Sequence, residues 1–127
     1  MQEYSCTVIK DNITYRSTLS GIRPLMNWLT SQPEILENSY VIDKVVGKAS
    51  ALLLTYGKAK KVHGLTMSRA GHEILEKYGI EHSWDTMVDY IQNMDHTDMC
   101  PMEKKVINID DPKEAYQTFL AVFTKKQ

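Results

Sequence analysis

Apolar and polar positions alternate twice near the start of the chain. "EYSCTVIKD" and "NITYRSTL" both step in twos and are rich in β-formers, with a turn at Asp11-Asn12 between them. Together they predict a β-hairpin. The period then lengthens. Ile22, Leu25, Met26 and Leu29 fall at helical spacing, with Pro24 in the tolerated first turn, and Pro33 ends that helix or opens a short turn.

"DKVVGKASALLLTYG" predicts the strongest helix. Val45, Ala49, Leu52, Leu53 and Tyr56 share one face, and Ala51 and Leu54 widen it until the segment is apolar nearly all round, so it must be largely buried. Gly57 is its expected stop. "KKVHGLTM" reads as a strand. "SRAGHEILEKYGI" reads as a helix capped by Ser68 and closed by Gly79. "EHSW" is a further short strand. In "DDPKEAYQTFLAVF" a helix opens with Asp111 as cap, Pro112 at its first position and Glu114 in a capping box. Ala115, Tyr116, Phe119, Leu120 and Phe123 make its buried stripe. The order β-β-α-α-β-α-β-α-α predicts an α/β fold, a three-layer α/β/α sandwich whose sheet is mixed because of the opening hairpin.

Composition narrows the function classes. The 127 residues, 43% hydrophobic and 24% charged, suit one domain over residues 1–127. A net charge of −1 gives no electrostatic footprint for nucleic acid or a membrane surface. With no membrane-length apolar run and no signal-peptide pattern, the expected location is cytoplasmic. Two cysteines, Cys6 and Cys100, make no disulfide framework.

Several motifs fail on inspection. "GKAS" is not a phosphate loop: Ile42 stands where a glycine is required, and Ala49 follows the lysine. "GHEILEK" opens like a zinc-protease HExxH motif, but Glu76 occupies the second histidine's place. His72 and Glu73 are accordingly expected to be exposed polar residues of a helix. His96 and Cys100 are four apart, but Pro101 moves the helix start past them, so no metal site and no cofactor is expected. Lys48, at the edge of the buried face and near a helix start, either snorkels, pairs with a carboxylate or faces an anion. Cys100 is placed as an N-cap, with Pro101 first in the helix and Glu103 completing a capping box. A thiol there feels the positive helix end, which favours thiolate.

The blocks "DKVVGKASALLL", "EKYGI" and "MDHTDMCPMEKKV" resemble a family of uncharacterised bacterial domains with a cytidine-deaminase-like fold. The resemblance runs from Tyr4 to Val106, and "VVGKA" and "CPME" are its specific parts. The family often carries Asn-Arg-Asp and Thr-Gly before its Cys-Pro. Here Asn93 is followed by Met94 and Asp95, and Thr97 by Asp98.

Zinc deaminases carry His-x-Glu at one helix start and Pro-Cys-x-x-Cys at the next. By helix position, Val46-Gly47-Lys48 and Ser68 to Gly71 stand there, with no zinc ligand. The resemblance therefore implies a deaminase-like domain without zinc-dependent deaminase activity. Its expected partner is a small anionic or nucleotide-like metabolite, lined by Lys48, Ser68, Asn93, Cys100 and Met102. The rivals are an enzyme using Cys100 as thiolate nucleophile and a protein-interaction scaffold, with a homo-oligomer as a further expectation.

Overall fold

A computed structural model of the chain describes residues 4–124. Five strands form one mixed sheet in the order β2-β1-β3-β4-β5. They are β1 (Cys6–Lys10), β2 (Ile13–Ser17), β3 (Tyr40–Val46), β4 (Lys61–Ser68) and β5 (Glu81–Val88). The helices are α1 (Arg23–Ser31), α2 (Lys48–Tyr56), α3 (Arg69–Lys77), α4 (Pro101–Lys105) and α5 (Pro112–Thr124), with a short 3-10 turn at Pro33–Ile35. β1 pairs antiparallel with β2 and with β3, whereas β3, β4 and β5 run parallel.

The local signals act as read. Asp11 and Asn12 both take positive φ, 50° and 69°, the geometry that joins two twisted strands in a two-residue hairpin. Ser68 Oγ accepts from Gly71 N at 3.0 Å and caps α3, and Gly79 is left-handed after it. Asp111 accepts from Glu114 N at 2.8 Å and caps α5. Ala115 and Phe119 are fully buried, and Tyr116 stacks on Tyr56 at 4.7 Å. Residues Ala49 to Leu54 of α2 are all buried, because α2 is wedged among β3, α1, α3, α4 and α5.

Two expectations need correction. Asp43 to Val46 is not the first turn of the long helix. It is the end of β3, a strand the helical reading hid. The other concerns the layers. As far as Asp43 and Gly64, buried positions alternate in register: Cys6, Val8, Val41, Asp43, Val62 and Gly64 point into the core. Thr7, Tyr40, Ile42 and His63, on the opposite face, are only half-buried, and Ile9 and Leu65 are exposed. Among the described residues the helices gather over one face, so the expected three-layer sandwich is instead a sheet covered on one side.

Beyond Asp43 the alternation slips by one. Lys44 and Val45 are both exposed, and Val46 turns inward again. The same slip occurs in β4, between Gly64 and Met67. The Lys44 amide still donates to Ser5 O at 2.9 Å, so β3 stays tied to the start of the hairpin across the slip.

α2 stops at Gly57 as expected, and the left-handed residue that follows is Lys58 (φ 65°). Gly57 also serves packing, since a Cβ there would lie 3.0 Å from a Leu36 methyl.

Candidate functional site

The slip in β3 sets Asp43 at the floor of a cleft of about 540 Å³. Its walls come from the Thr18–Gly21 turn, Lys44, Val45 and the loop carrying Gln92, Asn93 and His96. Asp43 is only 4% exposed, and its Oδ2 has no hydrogen-bond partner among the described residues. An unpaired buried carboxylate is costly, and one seldom survives without a reason. Burial pushes the Asp43 carboxyl up to about 7, partly offset by the amides of Val45 and Lys44. Cys6, its cross-strand neighbour, has a thiol pushed up first by the same burial and then by the Asp43 charge.

A smaller cavity adjoins this cleft and shares Gly21 and Val45 with it. Gly47, Ser50, Cys100, Met102 and Glu103 line it. Here the structure departs from the expected capping box. Cys100 does stand at the start of α4, and its carbonyl accepts from Lys104 N at 3.1 Å. Glu103 does not turn back to it, and Cys100 N donates to Ile91 O instead. The Glu103 carboxylate reaches across to α2 and accepts from Lys48 N and Ala49 N, each at 2.8 Å. It is the cap of α2, supplied from 54 residues away. Burial raises the Glu103 pKa, against the lowering by the amides of Ala49 and Lys48 and by the Lys48 charge. Gly47 makes room for it, because a Cβ there would lie 2.5 Å from Glu103 Oε1.

The residues singled out from sequence are divided by this arrangement. Cys100 and Met102 line the inner cavity, and Asn93 lines the outer cleft. The Asn93 side chain shapes its own loop, accepting from Thr97 N at 3.0 Å. Ser68 is buried as the α3 cap. Lys48 points the other way. Its ammonium pairs with Asp110 at 2.7 Å and donates to Ile107 O at 3.1 Å, beside a separate groove formed with Ala70, Glu73, Ile74 and Lys77. The anion that the α2 start favours is the chain's own Glu103.

Cys100 has no histidine base in hydrogen-bond contact among the described residues. His96 bonds Gln92, His63 bonds Ser83 and Asp85, and His82 bonds His72. Sequence reasoning missed Asp43. The available signal was the β-branched run Val41, Ile42, Val45 and Val46 around it, the mark of a strand.

The model of a domain of unknown function, DUF1893, matches residues 1–123. The chain belongs to the DUF1893 family. Its fold is similar to the crystal structure of a DUF1893 family protein, TM1506, from Thermotoga maritima. The TM-score is 0.86 at 31% identity, covering 93% of this chain and 80% of that one. No curated protein matches. Among the described residues no helix is long and apolar enough to cross a membrane.

Proposed function

We propose that this DUF1893 chain is a deaminase-like domain that binds a small nucleotide-like ligand in the Asp43 cleft without zinc-dependent hydrolysis. The observation that carries this is the unpartnered Oδ2 of Asp43, buried on the floor of a cleft large enough for a small molecule. That oxygen accepts an amino or ring N–H donor from the ligand. Lys44 and His96 line the same cleft and suit an acidic group such as a phosphate. Cys100 and Met102 line the smaller cavity that adjoins it.

The deaminase-like part of the reading is supported by the strand order, with a hairpin followed by two parallel strand–helix steps. The helix start that would carry His-x-Glu holds Gly47 and Lys48, and Glu103 fills the amides there. Ligands of open α/β sheets bind beyond the carboxyl ends of the strands, where this cleft lies along β3.

A thermal-shift panel of nucleosides, nucleotides and sugar phosphates tests the proposal. A ligand that binds the folded state raises the melting temperature. The expected result is a rise with a nucleoside or nucleotide that Asp43→Asn abolishes and Lys48→Ala leaves intact. No shift across the panel, or an equal shift in Asp43→Asn, contradicts it.

A further inference from the structure

A second cluster lies apart from this cleft, where α3 meets β5. His72 and Glu76 are four apart on α3 and so share one face of the helix. The three-residue turn Tyr78-Gly79-Ile80 leads back into β5, whose second residue is His82. His72 Nδ1 lies 2.8 Å from His82 Nε2, and Glu76 Oε2 lies 3.8 Å from the same nitrogen. One ligand atom from each of the three residues falls within 4.8 Å of the others.

The orientation of His82 is the informative detail. Its Nδ1 lies 2.7 Å from the carbonyl oxygen of Ile80, which can only accept. The proton of the neutral ring is therefore on Nδ1, and the Nε2 lone pair points at His72 and Glu76. A backbone carbonyl that fixes the tautomer is the outer-shell partner metal-binding histidines use. The His82 side chain is 5% exposed, whereas Glu76 is open to solvent. The Trp84 ring packs against both imidazoles, at 5.0 Å from His72 and 6.1 Å from His82.

We propose that His72, Glu76 and His82 form a zinc-type divalent metal site that ties α3 to the edge strand β5. Imidazole and carboxylate are the ligands zinc takes, and three of them leave a fourth position for water. Zinc–nitrogen bonds of about 2.0–2.1 Å in a tetrahedral site set neighbouring ligand atoms about 3.3 Å apart. The two imidazoles need to part by roughly half an ångström to admit the ion, and His72 gives up its proton on Nδ1 by changing tautomer. This departs from the expectation that the chain holds no metal and that His72 is merely an exposed helix residue. It does not depend on the Asp43 cleft.

Calorimetric titration of the metal-free chain with Zn2+ tests it, with Co2+ as a spectroscopic probe. The expected result is one ion per chain and the intense visible absorption of tetrahedral Co2+. His72→Gln and His82→Gln each weaken binding by about tenfold or more, while Cys100→Ser leaves it unchanged. His82 is nearly buried and its variant can misfold. His72 is only half-buried, so His72→Gln alone decides the matter, with a circular dichroism spectrum as the folding control. Absence of saturable binding overturns the proposal. So does Zn2+ affinity in His72→Gln equal to that of the unsubstituted chain.

Discussion

Asp43 governs the pH response at the residue scale. In the folded chain its carboxyl holds a proton up to about pH 7, while an unfolded chain releases it near 4. Between those values the folded state binds more protons, so stability falls as pH rises. The contribution is complete below about pH 4 and lost above about pH 7. Asp43→Asn removes the charge and with it this fall. Thermal denaturation from pH 4 to 8 checks the expectation. The two proteins converge at the acid end, and the variant is the more stable at pH 8, by on the order of 4 kcal/mol. Parallel curves across the range would show that Asp43 is not titrating in the interior. Asp43 was legible as a charged residue but not as a buried one, because nothing within its own segment tells which way a strand faces.

At the element scale, α2 is held by a cap from outside itself. Glu103 satisfies two of its first amides, and Gly47 keeps the space that lets the carboxylate approach. Glu103→Ala leaves two buried donors unpaired and is expected to cost about 2–4 kcal/mol in chemical denaturation. Glu103→Gln keeps one acceptor and costs less. Gly47→Ala expels the carboxylate and costs about as much as Glu103→Ala. The double variant costs little more than either one, since both remove the same interaction. Additive losses would show that the two residues act separately. Sequence found the caps whose partners are three residues apart, Ser68 and Asp111, because such signals are local. It assigned Glu103 to its own helix by the same rule, whereas the fold gives Glu103 to a helix 54 residues away. The hairpin, α1, α3 and α5 were readable from period and caps. β3 was hidden because its end runs directly into α2 through Gly47, so "DKVV" and "KASALLL" merge into one apolar run.

On the scale of the whole molecule, the parallel half of the sheet and the hairpin meet at β3, and both cavities open along its end. Asn93, Cys100 and Met102 reach that region from the loop after β5 and from α4, so part of the candidate site could be named from the chain. Lys48 could not be placed, because helix periodicity leaves open which neighbour its ammonium meets. Here that neighbour is Asp110, whose carboxyl the lysine holds below the usual carboxylate range. The expected covering of both sheet faces failed for a related reason. Half-apolar positions such as Thr7, Ile42 and His63 fit a covered or an uncovered face equally well.

The binding reading rests on Asp43 lying buried with one oxygen unclaimed. Carbon-13 NMR of the Asp43 carboxyl through a pH titration of the folded chain tests that most directly, with Asp43→Asn assigning the resonance. A midpoint near 7 is the predicted result. A midpoint near the ordinary aspartate value of about 4 would contradict it, because the carboxylate would then be solvated or already paired and no longer a vacant acceptor for a ligand.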